Sequence, residues 1–226
     1  MDRRPEPELM DDPKQAEAYA AADFETAHAS FVEHFQQAFP GQELTGRVLD
    51  LGCGPCDITR RFAAAFPNCS MDAVDGAANM LRFGREVIGR AGLDRRVRLI
   101  HSILPGNELR AESYDAVISN SLLHHLHNPA VLWQSIRRHA RPGAAVFVMD
   151  LLRPPTPRDA LALVETYAGN EPEILQRDFY RSLCAAFRPD EIRSQLVGAG
   201  LDHLIMRTVG DRHVVIHGRV GGTPPR

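Results

Sequence analysis

The stretch DLGCGPCDIT, residues 50–59, sets two glycines, two cysteines and two carboxylates into ten positions at the end of the apolar run RVLDL (47–51). A strand that ends in glycines and turns into a helix is a common nucleotide-binding device, because the missing Cβ atoms let backbone amides approach a ligand. Gly52 and Gly54 begin the dinucleotide fingerprint G-x-G-x-x-G, but its last position is Asp57. A carboxylate there would put two negative charges at one helix N-terminus beside a pyrophosphate, which argues against NAD. Cys53 and Cys56 have C-x-x-C spacing, yet no second pair stands at finger-like distance, so no metal is expected. LHHLH (123–127) offers His124 and His125 as general bases near neutral pH. AYAAADF (18–24) puts Tyr19 and Asp23 four residues apart, on one face of a helix. Further along, RDFYRSLCAAFRP (177–189) interleaves aromatics with arginines, and GDRHVV (210–215) sets Arg212 and His213 at a turn. Tyr180, Arg188, Arg212 and His213 are candidate contacts to an acidic or aromatic substrate.

These groups need a frame. Residues 15–38 read as one helix, stopped by Pro40-Gly41. A regular alternation follows. Strands are expected at 47–51, 70–75, 97–102, 114–120 and 144–151, and helices at 57–66, 77–92 and 130–140. The strands are almost wholly apolar, as parallel strands buried on both faces are. Strands alternating with helices mean a doubly wound α/β sheet, whose ligands sit at the carboxyl ends of the strands. Residues 152–190 carry five prolines with helical stretches between them and read as an inserted lid. Residues 188–201 read as a capped helix. Residues 202–220 read as two strands around Gly210-Asp211, an antiparallel hairpin at the sheet edge.

Three segments, VLDLGCGPCDIT (48–59), AVDGAANML (73–81) and SYDAVISNSLLHHLHNP (113–129), occur in this order. Together they resemble the class I S-adenosylmethionine-dependent methyltransferases, over about residues 45–150. The resemblance implies a Rossmann-like, mostly parallel seven-stranded sheet with a C-terminal antiparallel hairpin and a helical lid. It implies S-adenosyl-L-methionine as cofactor and S-adenosyl-L-homocysteine as product. By the same resemblance, Asp50 stabilises the amino end of the cofactor, directly or through water. Gly52, Cys53 and Gly54 let the chain pass close to the ligand. Asp75 accepts from both ribose hydroxyls, with Gly76 beside it. Met80 packs on adenine, and Ser102 and Ile103 follow the third strand near the adenine amino group, where the family often has an acid. Asn120 lies near the methionine end. Cys56 stands at the family's usual third glycine, where a side chain is tolerated if φ is negative. The expectation is a normal cofactor site with a slightly altered rim.

The same residues narrow the acceptor. SNSLL stands where an Asn/Asp-Pro-Pro-Tyr motif would mark an adenine or glutamine amino group as target. A small metabolite methylated on oxygen, nitrogen or carbon is the default partner, with a tRNA base, or cofactor binding without turnover, as alternatives. Lys and Arg number 26 against 29 Asp and Glu, net charge −3, which is not the basic excess of a phosphate-backbone binder. No apolar run approaches the ~20 residues of a membrane span. The polar start MDRRPEPELMDDPK lacks a signal-peptide core, so a cytoplasmic location and free thiols at Cys53, Cys56, Cys69 and Cys184 are expected. The expected organisation is a flexible terminus over 1–14, a helical cap over 15–44 and a methyltransferase domain over 45–226, as monomer or homodimer.

Overall fold

The computed structural model describes residues 1–22, 24–106, 109 and 111–221. Two helices come first, α1 (Pro13–Ala21) and α2 (Glu25–Ala38). Then β1 (Arg47–Leu51), α3 (Asp57–Ala65), β2 (Ser70–Asp75), α4 (Ala78–Arg90), β3 (Val97–His101), β4 (Tyr114–Asn120), α5 (Ala130–His139) and β5 (Ala140–Leu151) alternate. The chain continues through α6 (Pro157–Ala168), α7 (Glu173–Ala185) and α8 (Pro189–Gly198) into the hairpin β6 (Ile205–Val209) and β7 (His213–Arg219).

The seven strands form one sheet in the order β3-β2-β1-β4-β5-β7-β6. The first five are parallel, and β7 runs antiparallel between β5 and β6. The chain winds outward in opposite directions from β1 and β4, so a crevice opens at their carboxyl ends.

Burial on both faces explains the apolar strands. On one face Phe31 and Phe35 of α2, Phe62 of α3 and Leu81 of α4 meet Val48, Met71 and Phe147. Phe35 stands edge-on to both Phe62 and Phe147, a geometry worth ~0.5–1.5 kcal/mol per pair beyond burial. On the other face Leu132, Trp133 and Ile136 of α5 and Ile192 and Leu196 of α8 cover Leu49, Leu51 and Val146. The helices α6 and α7 pack on each other and on Leu151, at the carboxyl end of β5.

Two differences from the sequence reading concern the N-terminal region. The single helix over 15–38 is two helices, because Ala22 is extended (ψ 147°) and ends α1. Alanine propensity reads through this break; packing decides it. Ala16 of α1 is buried with Ala77 and Met80 beside α4, whereas α2 buries its phenylalanines against the sheet. The stretch before Pro13, expected to be flexible from its polarity, is held as an extended strap. Arg3 donates to the carbonyls of His124, Leu126 and Ala185, and its guanidinium lies 3.9 Å from the centre of the Phe187 ring. Asp11 bonds Asn79 through its carboxylate and its carbonyl. Elsewhere, β5 begins at Ala140 rather than 144: Ala140 pairs with Tyr114 ahead of a register shift, and Gly143 supplies a φ of +80°.

Candidate cofactor and acceptor site

The crevice at the carboxyl ends of β1 and β4 opens into a cavity of about 410 Å³, within the ~300–1,000 Å³ usual for small-molecule sites. Its floor is the loop after β1. Gly52 lies at φ +74°, and a Cβ there would come within 2.8 Å of Leu122. Gly54 lies at φ +52° with nothing within 4 Å of where its Cβ would be. The amides of this loop are already used: Gly52 and Cys53 donate to the Val74 carbonyl, and Cys56 to Cys53. The glycines therefore supply room rather than donors.

Asp75, at the end of β2, is the central polar group. Its Oδ2 accepts from the Gly54 amide and its Oδ1 from the Ala77 amide, both at 2.8 Å. Each oxygen keeps a further lone-pair position, the arrangement a vicinal diol would meet. Burial pushes the pKa of this carboxyl up, and the two amides oppose that shift. Met80, Ile103 and Ala77 give the cavity an apolar wall on the side of Asp75, with Gly76 and Ser102 beside them. A Cβ on Gly76 would come within 2.7 Å of Leu9, so the strap closes directly over this end.

Asn120, Ser121, Leu122 and His125 also line the cavity, together with Tyr19 and His28. Ser121 takes a left-handed φ of +54°, a conformation that costs a non-glycine residue about 1 kcal/mol or more. Its amide bonds the Met149 carbonyl, which fixes the turn off β4. Tyr19 is pushed up to about 12 by burial and by Asp57, Asp75 and Asp150, so its phenol stays neutral. Burial, with His124 adding to it, lowers the His125 ring well below the ordinary histidine range.

The sequence reading missed His28. Its Nδ1 lies 2.8 Å from Asp57 Oδ2, and both side chains line the cavity. Burial alone would raise Asp57, but hydrogen bonds from His28, Arg61 and Arg60 outweigh it and hold the carboxylate well below its usual range. Nothing in the spacing of residues 28 and 57 signals this pair; it depends on α2 docking beside the N-terminus of α3.

Other expectations need correction. Cys56 sits at φ +66°, not at a negative φ. The sharp turn that the third glycine normally makes is kept, with a cysteine in it. Gly84 of α4 makes the room: a Cβ there would stand 2.7 Å from Cys56 Sγ. Asp50 does not line the cavity. It is buried under the loop, where its Oδ2 accepts from Thr59 Oγ1 at 2.6 Å, and burial pushes its carboxyl up to about 7. His124 does not line the cavity either; its Nδ1 is 2.6 Å from Asp150 Oδ1.

Tyr180, Arg188, Arg212 and His213 all lie away from the cavity lining. Tyr180 packs on the α6–α7 core. Arg188 opens α8, where its amide donates to Glu191. Arg212 stacks on Tyr167, with its guanidinium carbon 3.3 Å from the ring centre. His213 opens β7 opposite Leu151, and burial together with Arg212 lowers it to about 4. Alternating aromatic and basic residues here serve packing and capping. Asp23 lies outside the described residues.

Comparison with known proteins agrees with this geometry. Residues 49–146 match the family model described as a methyltransferase domain. The ubiquinone biosynthesis O-methyltransferase of Bordetella pertussis is 32% identical over 112 residues, 48% of this chain and 44% of that protein. The chain thus spans about half the length of the curated relatives it matches. A crystal structure of a SAM-dependent methyltransferase from Aquifex aeolicus superposes with a TM-score of 0.68 at 16% identity, covering 92% of this chain and 98% of that one. Phospholethanolamine N-methyltransferase 2 of Haemonchus contortus, solved with S-adenosylhomocysteine, gives a TM-score of 0.63 at 18% identity, covering 86% and 43%. No described helix is long and apolar enough to cross a membrane. Residues 49–146 thus resemble a methyltransferase domain, and the chain as a whole shares the fold of the Aquifex aeolicus methyltransferase.

Proposed function

We propose that the protein transfers a methyl group from S-adenosylmethionine to an oxygen, nitrogen or carbon of a small molecule. One observation carries the reading: the Asp75 carboxylate, pinned by the Gly54 and Ala77 amides, faces a cavity that a side chain at Gly54 would enter. When bound, the cofactor supplies an electrophilic methyl group on a sulfonium. Asp75 would hold the ribose hydroxyls, Met80 and Ile103 would flank the base, and Ser102 would edge it. Asn120 and the loop at Gly52 and Cys53 would lie along the methionine end. Asp50, beneath the loop, would act on the amino end through its field rather than by contact.

The acceptor would enter between Tyr19, His28, Asn120 and His125. Tyr19, neutral at physiological pH, would orient it by donating a hydrogen bond. Asp57 holds the His28 ring by one nitrogen, which leaves the other to take a proton from the acceptor. The strap and α1 exclude water from above.

The test is transfer of labelled methyl from S-adenosylmethionine to separate panels of phenols, amines and carbon acids, with tRNA as a further arm. Transfer to a small acceptor, falling on the order of 10²–10⁴-fold in His28→Gln as removal of a general base would cause, supports the reading. Labelling confined to tRNA would move the acceptor class. Cofactor binding with no transfer in any arm would leave a binding protein.

A further inference from the structure

Glu6 is brought by the strap against the two histidines that follow β4. Its Oε1 lies 3.3 Å from His125 Nδ1 and 3.7 Å from His124 Nε2. These three residues offer ligand atoms that all lie within 4.8 Å of one another, and the side chains of Glu6, His125 and His124 are 9%, 11% and 2% exposed. Ligands bonded at 2.0–2.1 Å to a tetrahedral centre stand about 3.3 Å apart. The Glu6–His125 separation already has this value, and the Glu6–His124 separation exceeds it by a few tenths of an ångström.

Three further features prepare the cluster. Asp150 Oδ1 holds His124 by Nδ1 at 2.6 Å, which turns Nε2 toward Glu6. Asp150 is itself fixed by the amides of Leu123 and Leu151, both at 2.7 Å. A carboxylate behind a histidine ligand is the usual support of a metal-bound imidazole. His125 hydrogen-bonds the Pro7 backbone, yet its buried Nδ1 has no hydrogen-bond partner. With the ring proton on Nε2, that nitrogen keeps an unused lone pair 3.3 Å from a carboxylate oxygen, which a cation held by both groups would satisfy. Ser182 Oγ donates to the same Glu6 oxygen at 3.0 Å, which orients the carboxylate without using its remaining lone pair.

We propose that Glu6, His124 and His125 form a three-ligand site for a divalent transition ion, with Zn²⁺ as the ion that two imidazoles and one carboxylate suit best. The sequence reading expected no metal, and His127, the third histidine of LHHLH, is not part of the site. His127 is turned away, its Nε2 2.8 Å from the Glu6 carbonyl oxygen. The third ligand comes instead from a strap residue more than a hundred positions away. Because His125 lines the cavity, the ion's fourth position would open toward the acceptor end. Because Glu6 belongs to the strap, the ion would clamp the strap over the cavity. The site depends on ligand geometry and does not require methyl transfer, so either reading can fail without the other.

The experiment titrates the full-length, metal-stripped protein with Zn²⁺ in a calorimeter and follows amide hydrogen exchange of the strap with and without the ion. One equivalent bound, with exchange of residues 3–9 slowed, is expected. Glu6→Gln and His125→Asn should each weaken binding more than roughly 100-fold, and Asp150→Asn about 10–100-fold. His203→Asn, outside the cluster, should bind as the parent does. No uptake of Zn²⁺, Co²⁺ or Mn²⁺ by the parent overturns the proposal. So does an equivalent that persists in Glu6→Gln and His125→Asn. If those variants do not fold by circular dichroism, the parent decides: binding that leaves strap exchange unchanged places the ion elsewhere and overturns it.

Discussion

The pairing of Cys56 with Gly84 makes a test in which one substitution changes sign with the residue opposite it. In the parent, a Cβ at position 84 would lie 2.7 Å from Cys56 Sγ and 3.5 Å from its Cβ. Cys56 is fully buried and its backbone is fixed at φ +66°, so the sulfur has little freedom to retreat. Overpacking of this kind costs ~1–3 kcal/mol. Replacing a glycine inside a helix by alanine returns about 1 kcal/mol of propensity. Gly84→Ala should therefore destabilise by up to about 2 kcal/mol. In Cys56→Gly the sulfur is gone, and the nearest remaining neighbour is the Gly54 carbonyl at 3.6 Å, an ordinary contact. Gly84→Ala should then stabilise by about 1 kcal/mol. Cys56→Gly alone should be close to neutral, because relief of the left-handed backbone, ~1–2 kcal/mol, offsets the lost packing. The coupling between the sites is then ~1–3 kcal/mol. Urea unfolding of the four proteins, fitted with a common slope, measures it. Additivity within about 0.5 kcal/mol would refute the compensation, and with it the account of how a side chain occupies the third loop position.

Two further outcomes follow from the carboxylates. Asp75→Ala should weaken S-adenosylhomocysteine binding on the order of 100-fold or more, since two charge-assisted bonds at ~1.5–3 kcal/mol each are lost; calorimetric titration reads it, and an unchanged affinity removes the ribose assignment. Asp50 is raised by burial to about 7 in the folded protein against ~3.9 when unfolded. A raised carboxyl contributes stability below its unfolded value and loses it as pH rises through the folded value. The advantage of Asp50→Asn over the parent should therefore grow between about pH 4 and pH 7, by at most about 4 kcal/mol, and then level off; a gap that does not change with pH in urea unfolding would show that Asp50 is not buried as described.

Much of the frame was legible because its signals are local. Apolar runs such as RVLDL and AAVFVMDL mark strands by burial on both faces, and Gly210-Asp211 marks the hairpin by its turn chemistry. The end of β2 at Asp75 and the loop at Gly52 and Gly54 follow from the same alternation. What the sequence hid depends on distant chain segments meeting. The strap looks like a polar tail until Arg3 reaches the carbonyls of His124 and Leu126. Separation in sequence, large for Glu6 beside His125 and smaller for His28 beside Asp57, conceals these pairs as well. The φ of Cys56 is invisible without knowing that a glycine on α4 faces it. Arg188 and Arg212 were misread because a basic side chain next to an aromatic one looks alike whether it caps a helix, stacks on a ring or binds a ligand.

The central claim is that the cavity at the switch point between β1 and β4 holds the adenosyl cofactor. Calorimetric titration of the purified protein with S-adenosylhomocysteine, with NAD in a parallel cell, tests it most directly. The account predicts one equivalent of S-adenosylhomocysteine bound and no heat from NAD. Absence of S-adenosylhomocysteine binding, or binding of NAD in its place, would contradict it.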